Sequence, residues 1–543
     1  MQNISLGTDD FKEIIESNSL FIDKTLFIKE LIDDTSKVLL FPRPRRFGKS
    51  LNMSMLKYYF DITLDSHALF KGLNISKCSK LYLDEMNKYP VVSLTLKECK
   101  KATYEAFLIS FKTLISNLYR NYKFLLDSSL IEEVDKDYFK RCINEEEEKQ
   151  LSLALAKLIN MLEIYYNKQV IVLLDEYDAP ILEGYLKGYY DNIISFMREV
   201  FSSTFKNNLN LKKGIITGIL KVSKEGMFSD ANNIIVHDIT SPLYGDYFGF
   251  LEVEVIDVLT KYNLNNNFAE VNKWYDGYLF GNSKIYNPWS ILNYLNRREI
   301  DVYWVNTGGT SLLEELIYNK DNNMIDELDK LIKNGYIENI NLDVNMNLNH
   351  LNTDIDTIWT LFLFSGYLTL AKPFKKENIT LKIPNLEIEK NLKNISVTWF
   401  KNTIKASKTI KYLVDHQLEN FKADFLNVVL NSFSYYDVPS DYGETFYHAF
   451  CMGLLYTGVN VFDIKSNRES GLGRFDLVLI PKKNKYAYII EFKVVKENNF
   501  EEVINVAFKQ IDSKKYDTDF KDYIVTKIVI AFKGKECQVE YKI

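Results

Sequence analysis

Short apolar runs separated by long amphipathic stretches characterise the first part of the chain. Five such runs are typical of strands: Val38–Phe41, Val91–Leu96, Val170–Leu174, Gly214–Leu220 and Asn233–Val236. An uninterrupted apolar run indicates a strand that is covered on both faces, as in a parallel sheet. Strands that alternate with helical patterns predict an α/β layer fold, here over residues 1–245, with helices on both faces of the sheet.

The middle of the chain, residues 246–420, has a mostly helical pattern and is interpreted as a lid or linker region. Its longest apolar stretch runs from Ile358 to Ala371 and contains Ser365 and Gly366. This stretch is too short to span a bilayer, so a buried core helix is predicted and no membrane association is expected.

The pattern changes again in residues 421–543, which are predicted to form a separate small α/β domain. The predicted order is helix, three strands, helix and strand, assigned to Glu444–Tyr456, Val459–Ile464, Arg474–Ile480, Tyr486–Val495, Glu501–Tyr516 and Ile524–Phe532.

Composition narrows the class of protein without deciding it. The 543 residues suffice for several domains, and the net charge of −6 means that any nucleic-acid contact must rest on local basic patches. The five cysteines have no CxxC spacing, so a zinc site or a disulfide framework is not expected. The start of the chain has no signal-peptide pattern, and the expected location is cytoplasmic.

A phosphate-binding loop is predicted directly after the first strand. The segment Arg43–Ser50 precedes a helical pattern, so a strand, a loop and a helix follow one another as a P-loop requires. Gly48 permits close backbone approach, Lys49 can reach the β- and γ-phosphates of ATP, and Ser50 can bind Mg²⁺. Arg43 occupies the place of the motif's first glycine. The alternative is that these residues only cap the helix.

A second acidic motif completes the candidate nucleotide site. Asp175 and Glu176 end the apolar run Val170–Leu174, which is the Walker B pattern. Asp175 is then expected on the Mg²⁺ side, and Glu176 is expected to orient the attacking water. Thr217, at the end of the next strand, is a candidate sensor of the γ-phosphate. The alternative is that the two acids cap the following turn.

Two carboxylates and one lysine form a candidate metal-dependent site near the end of the chain. Glu491 and Lys493 project from the same side of one predicted strand, and Asp476 begins the strand before it. Carboxylates bind Mg²⁺ through hard oxygen ligands, and phosphodiester hydrolysis uses such a cation together with a lysine. The alternatives are a surface ion pair and an aspartate that only starts a strand.

With these motifs in place, the chain resembles bacterial proteins that join an N-terminal AAA-ATPase-like domain to a C-terminal PD-(D/E)XK nuclease-superfamily domain. The segments that carry the resemblance are Phe21–Thr25, Pro42–Ser50, Leu174–Asp178, Thr217–Leu220, Trp274–Tyr278, Tyr286–Ser290, Gly473–Asp476 and Glu491–Lys493. The resemblance implies a P-loop NTPase sheet and a restriction-endonuclease-like C-terminal fold. It also makes Arg43 a family trait, whereas Lys221 departs from the usual arginine.

For the C-terminal domain the resemblance implies an active site of Glu444, Asp476, Glu491 and Lys493, with Gln510 and Tyr516 in accessory positions. ATP and Mg²⁺ are the implied cofactors. Metal ligands are expected from Asp476, Glu491 and Glu444 in one site and from Ser50 and Asp175 in the other.

The functional hypothesis is therefore an ATP-binding and ATP-hydrolysing protein coupled to Mg²⁺-dependent cleavage of nucleic acid. DNA is the expected substrate, although the sequence does not exclude RNA. The alternative is a nucleotide-controlled switch or scaffold whose nuclease-like domain binds without cutting. A nucleotide-dependent homo-oligomer is compatible with both hypotheses.

Overall fold

The chain forms two compact units. The first unit consists of Met1–Leu312 and Tyr336–Ile388, and the second of Leu313–Gly335 and Glu389–Ile543. The computed structural model describes residues 2–221, 233–304, 323–342, 346, 348–352, 354–375, 378–403, 407–435, 444–456, 461–466, 469–470, 473–474, 476–482, 484–495, 499–514, 520, 522–534 and 536–543. The predicted domain boundaries at residues 245 and 420 stay predictions.

The described helices are α1 (Phe11–Glu16), α2 (Leu26–Asp33), α3 (Lys49–Phe60), α4 (His67–Phe70), α5 (Lys80–Leu83), α6 (Tyr104–Arg120), α7 (Glu133–Ile143), α8 (Ala154–Tyr166), α9 (Ala179–Lys187), α10 (Tyr190–Phe205), α11 (Glu252–Lys261), α12 (Phe268–Tyr275), α13 (Pro288–Arg297), α14 (Asn323–Asn334), α15 (Ile355–Ser365), α16 (Leu386–Thr403), α17 (Ser407–Val414), α18 (Leu418–Tyr435), α19 (Glu444–Tyr456) and α20 (Phe500–Ser513).

The described strands are β1 (Val38–Pro42), β2 (Val91–Thr95), β3 (Val170–Asp175), β4 (Leu211–Gly218), β5 (Ile234–Val236), β6 (Phe250–Leu251), β7 (Tyr278–Phe280), β8 (Ser283–Tyr286), β9 (Tyr336–Ile340), β10 (Thr369–Leu370), β11 (Ile379–Lys382), β12 (Phe462–Ser466), β13 (Glu469–Ser470), β14 (Gly473–Arg474), β15 (Leu477–Pro481), β16 (Tyr486–Val494), β17 (Ile524–Lys533) and β18 (Glu536–Lys542).

A parallel sheet with the strand order β2-β3-β4-β1-β5 forms the core of the first unit, which confirms the predicted α/β fold. Every residue of β1 and β3 is buried, as expected for strands that are covered on both faces. Because β4 lies between β1 and β3, the carboxyl ends of these three strands meet at one edge of the sheet. This edge positions the candidate nucleotide site.

The rest of the first unit combines helices with two small antiparallel sheets, whose strand orders are β6-β8-β7 and β10-β11-β9. Helix α15 is buried from Thr357 to Phe364, which confirms a core helix for the first part of the stretch Ile358–Ala371. The helix ends at Ser365, because Gly366 has a φ of +90°, and the stretch continues into strand β10. Among the described residues, no helix combines the length and apolarity that a membrane span needs.

A buried ion pair connects the start of the chain to α11. Lys24 Nζ donates to Glu254 Oε1 at 2.6 Å and to the carbonyl oxygen of Asp246 at 2.7 Å. The neighbouring Asp23 accepts the backbone N–H of Asn74 at 2.7 Å. The segment Phe21–Thr25, one of those that carry the family resemblance, therefore joins distant parts of the first unit.

The second unit contains a mixed sheet with the order β12-β15-β16-β17-β18. β16 and β17 are parallel, and the other neighbours are antiparallel. The predicted helix, strands, helix and strand are present with small shifts of their ends. The structure adds the edge strand β18 and the short β13–β14 pair, which the sequence pattern did not indicate. The fold agrees with the predicted C-terminal α/β domain.

Candidate functional site

The loop after β1 wraps around a lysine. Gly48 has a φ of +82°, a conformation that glycine adopts without strain, and α3 begins at the next residue. The Lys49 side chain is buried, and its Nζ donates to the carbonyl oxygens of Arg43 at 2.9 Å and Pro44 at 2.8 Å. The ammonium group is thus held inside the loop, next to the N-terminus of α3.

Asp175, at the end of β3, accepts hydrogen bonds from residues on two other elements. Its Oδ2 accepts the hydroxyl of Ser50 at 2.6 Å, and its Oδ1 accepts the hydroxyl of Thr217 and, at 3.0 Å, the backbone N–H of Glu176. The structure therefore brings together Lys49, Ser50, Asp175 and Thr217. The first two follow β1 and the others lie on β3 and β4, and these three strands are neighbours in the sheet. These four residues come from three separate parts of the sequence.

Burial and charge compete at the Lys49 ammonium. Burial lowers the pKa of Lys49 to about 8, while the carboxylates of Asp175, Glu176 and Asp178 act in the opposite direction. An anionic ligand would add further negative charge beside the ammonium and favour its protonated form. The electrostatic character of the loop therefore suits a phosphate.

Asp178 is a buried carboxyl that the sequence analysis did not assign to the site. It accepts the backbone N–H groups of Ile219 and Leu220, both at 2.8 Å, and burial raises its pKa. The position lies three residues after Asp175, in a segment that carries the family resemblance. Its hydrogen bonds to the two residues that follow Gly218 of β4 link positions about 40 residues apart, and a local sequence pattern does not reveal such a link.

Glu176 has a backbone conformation that is rare for a residue with a side chain. Its φ is +50°, in the left-handed region, and its side chain is partly exposed. Strained backbone of this kind is frequent at functional positions. The structure places Glu176 directly beside Asp175, within the electrostatic influence of Lys49.

Arg43 is fully buried at the position of the motif's first glycine. Its Nη1 donates to the carbonyl oxygens of Pro42 at 2.8 Å and His237 at 2.6 Å. The guanidinium lies 4.8 Å from the ring centroid of Phe248 and 5.5 Å from that of Phe280. Arg43 thus packs the loop against neighbouring elements instead of presenting its charge to solvent.

Lys221, the residue that departs from the resembled family, pairs with a carboxylate of its own unit. Its Nζ lies 3.6 Å from Asp238 Oδ2, and both side chains are largely buried. A lysine ammonium lacks the planar fork with which arginine binds phosphate in a bidentate manner.

In the second unit, Asp476, Glu491 and Lys493 come together at the junction of β15 and β16. Asp476 immediately precedes Leu477, which pairs with Ile490 of β16. The Oδ2 atom of Asp476 accepts a hydrogen bond from the backbone N–H of Phe492 at 2.9 Å. Lys493 Nζ donates to Glu491 Oε1 at 2.8 Å. The antiparallel pairing of the two strands is what brings these charged groups together.

Gln510, on α20, completes the contacts of Glu491. Its Nε2 donates to Glu491 Oε1 at 2.7 Å, and the Glu491 side chain is only 2% exposed. Glu444 begins α19, but its side chain and the whole of Tyr516 lie outside the described residues. His448, one turn after Glu444, makes an edge-to-face contact with Phe492 at 5.3 Å.

Both sites have donors that suit Mg²⁺, although neither forms a complete metal cage. In the described part of the chain, no group of three or more His, Cys, Asp or Glu side chains is arranged to hold a metal ion. Mg²⁺ is usually bound through one or two carboxylates, with water and substrate phosphates as the remaining ligands. The pairs Ser50 with Asp175 and Asp476 with Glu491 fit this type of site.

Comparison with known families agrees with the two-part architecture. Residues 5–228 match the AAA-ATPase-like family, described as predicted AAA-ATPase, and residues 442–542 match the PD-(D/E)XK nuclease superfamily. The chain therefore combines an AAA-ATPase-like region with a PD-(D/E)XK-superfamily region, as the resemblance implied.

The similarity to one relative extends along almost the whole chain. A protein of Azotobacter chroococcum mcd 1, described as an uncharacterized protein in the vnfD 5' region, is 23% identical over 521 residues. The match covers 91% of this chain and 90% of the relative. A match of this extent overlaps both regions of this chain that match family models.

Proposed function

We propose that the first unit binds and hydrolyses ATP and that the second unit cleaves nucleic acid with Mg²⁺. One observation carries the ATP half of this proposal. The hydroxyls of Ser50 and Thr217 converge on the carboxylate of Asp175, and the Lys49 ammonium is enclosed by the adjacent loop. Lysine, hydroxyl and carboxylate groups at the carboxyl edge of a parallel sheet match the needs of a nucleoside triphosphate.

Each residue has a distinct role in this proposal. Lys49 exchanges its two loop carbonyls for phosphate oxygens, and the N-terminus of α3, which begins at Lys49, favours the same anion. Ser50 and Asp175 hold Mg²⁺, which neutralises phosphate charge when bound. Glu176 orients the attacking water, and Thr217 keeps Asp175 in position through its hydroxyl.

ATP binding and hydrolysis by purified variants test this half. Lys49→Ala is expected to lose ATP binding, whereas Glu176→Gln is expected to bind ATP and to hydrolyse it at least about 100-fold more slowly, as for loss of a general base. Lys57→Ala is the matched control, because Lys57 is an exposed lysine of the same helix. Unchanged ATP binding by Lys49→Ala would exclude the proposed site.

For the second unit, Asp476 and Glu491 are the proposed Mg²⁺ ligands, with Glu444 as a further candidate. Bound Mg²⁺ supplies a Lewis acid for the scissile phosphate and lowers the pKa of a bound water. Lys493 is proposed to offset the negative charge that develops in the transition state. Its contact with Glu491 Oε1 at 2.8 Å supports this role.

Cleavage of plasmid DNA and of RNA and DNA oligonucleotides, with and without ATP, tests the nuclease half. Asp476→Ala combined with Lys493→Ala is expected to abolish cleavage, and so is removal of Mg²⁺ by EDTA. Lys533→Ala, at an exposed lysine of β17, is the matched control and should retain cleavage. Full cleavage by the double variant would rule out this site.

A second candidate function is a nucleotide-controlled switch or scaffold whose nuclease-like region binds without cutting. The deep burial of Glu491, together with its contacts to both Lys493 and Gln510, favours this alternative. Mass photometry in ATP and in ADP distinguishes the two candidates. Nucleotide-dependent homo-oligomers without any cleavage product would support the switch.

A further inference from the structure

A buried carboxylate, Glu387, joins three separate segments of the first unit. Its Oε1 accepts the backbone N–H groups of Tyr303 at 2.5 Å and Trp304 at 2.6 Å, and its Oε2 accepts the hydroxyl of Ser290 at 2.7 Å. The side chain is 1% exposed, and burial raises its pKa to about 6. A buried carboxylate with several donors fixes their relative positions, because loss of any donor leaves charge poorly solvated.

The segment that Glu387 fixes also contacts the phosphate-binding loop. The indole N–H of Trp304 donates to the carbonyl oxygen of Arg45 at 3.0 Å. The Arg46 guanidinium lies 4.3 Å from the ring centroid of Trp289, whose indole N–H donates to the carbonyl oxygen of Tyr303 at 3.1 Å. Two consecutive residues of the loop are therefore held by residues that depend on Glu387.

These residues also lie close in sequence to both places where the chain leaves the first unit. The chain passes to the second unit after Leu312 and again after Ile388. Trp304 precedes the first crossing, and Glu387 is next to the second, in helix α16, which continues to Thr403. Hydrogen bonds through Trp304 thus connect the loop with Glu387, which adjoins the second of these crossings.

We propose that Trp304 and Glu387 are positioning residues for the phosphate-binding loop, and that they transmit nucleotide binding to the start of α16, where the chain passes to the second unit after Ile388. The proposal rests on ATP binding at Lys49. When Lys49 turns to a phosphate, the carbonyl oxygens of Arg43 and Pro44 lose their donor and the loop backbone must adjust. The neighbouring carbonyl of Arg45 is bonded to Trp304, so the adjustment changes the free energy of the Trp304–Glu387 contacts.

Hydrogen exchange of the full-length protein measures this coupling directly, because the backbone N–H groups of Tyr303 and Trp304 donate the hydrogen bonds to Glu387. Saturating Mg²⁺ and a non-hydrolysable ATP analogue are expected to slow exchange of these two amides, and of peptides at the start of α16, at least about fivefold. A merely structural contact would stabilise the fold without responding to nucleotide.

Trp304→Phe keeps an aromatic ring and removes the indole N–H. This variant is expected to bind the analogue, but its exchange at residues 303–304 should change less than about twofold on binding. Coupling is reciprocal, so its affinity for the analogue is expected to fall about fivefold as well. Trp359→Phe is the matched control, because Trp359 is a buried tryptophan of the same unit in α15. It should keep the full response.

Glu387→Gln offers a second variant in case Trp304→Phe does not fold. Its amide oxygen can still accept both N–H groups, so the response should persist, whereas Glu387→Ala should abolish it. A normal response in Trp304→Phe or in Glu387→Ala would overturn the coupling. So would analogue binding to the wild-type protein without any change at residues 303–304. Absence of analogue binding, measured by calorimetry, would instead remove the proposed ATP site and this inference with it.

Discussion

At the scale of single residues, the electrostatics of Lys49 give the proposed nucleotide site a measurable signature. Burial holds the pKa of its ammonium at about 8, below the ordinary value for lysine. The ammonium therefore loses its proton as the pH rises through about 8, and the neutral amine cannot attract phosphate. Nucleotide affinity should consequently be highest below this pH and should decline above it.

Raising the pH from 7 to 9 is expected to weaken ATP binding roughly tenfold, because the charged fraction of Lys49 falls by about that factor. Isothermal titration calorimetry at constant Mg²⁺ and ionic strength measures the dissociation constant. Lys49→Arg is the control, since a guanidinium stays protonated over this range and should flatten the pH dependence even if overall affinity is lower. Equal dissociation constants for the wild-type protein at both pH values would contradict the prediction.

Local sequence patterns were sufficient to select candidate residues that belong to a short motif beside or within a strand, such as Lys49, Ser50, Asp175 and Glu491. Residues whose role depends on contacts far apart in the chain could not be found in this way. Glu387 contacts Trp304 across 83 positions, and Trp304 contacts Arg45 across 259 positions. No local periodicity records such pairs, so they become visible only when the fold brings them together.

At the scale of elements, the Lys24–Glu254 ion pair fixes α11 against the start of the chain. Burial lowers the pKa of Lys24, and the carboxylate of Glu254 opposes this effect. Glu254 also accepts the backbone N–H of Leu251 at 2.7 Å and so caps its own helix. Loss of its charge would leave the buried ammonium with only the Asp246 carbonyl oxygen and the weaker influence of the Asp246 and Asp23 charges.

Glu254→Gln is therefore expected to lower the free energy of unfolding by about 3 kcal/mol, as for a buried ion pair that loses one partner. The unfolding transition of the first unit in urea measures this change in free energy. The control is Glu16→Gln, which disrupts the exposed pair with Lys12 and should change stability by less than about 1 kcal/mol. Equal effects of the two substitutions would show that Lys24 is not held by its charge.

The elements that sequence patterns missed are either short or largely exposed. In β18 only Val539 is buried, because this edge strand is paired on one side and largely exposed. In the middle region, β6 and β10 have only two residues each and cannot show alternation. Longer buried strands of the parallel sheet were predicted because their whole length is apolar.

At the scale of the whole molecule, the order of elements predicted the fold class but not the composition of the units. Residues 313–335 belong to the second unit although they precede part of the first. Domains predicted from sequence patterns are successive segments of the chain. Such a prediction cannot give a unit made of two segments with part of the other unit between them. For the same reason, the second unit begins well before the segment that matches the nuclease superfamily, residues 442–542.

Helices α17 and α18 belong structurally to the C-terminal sheet, although they lie outside that segment. Tyr488 Oη donates to the carbonyl oxygen of Leu413 at 2.7 Å, and the ring of His416 stacks on Tyr486 at 4.1 Å. Lys422 of α18 pairs with Glu540 at 2.8 Å, on the edge strand β18. The turn between the two helices and the first part of α18 are therefore fixed to strands.

A fragment of residues 407–543 should consequently fold more stably than a fragment of residues 442–543. The shorter fragment loses α17 and α18, including the buried side chains of Phe421 and Phe425, and exposes the surface they cover. Removing one such aromatic side chain from a core typically destabilises a protein by about 3 kcal/mol or more, so the loss of both exceeds the free energy of unfolding of many small domains.

Urea unfolding followed by circular dichroism is expected to be cooperative for residues 407–543 and non-cooperative for residues 442–543. Equal unfolding midpoints would mean that the two helices are an appendage, and that the segment shared with the nuclease superfamily is a complete folding unit.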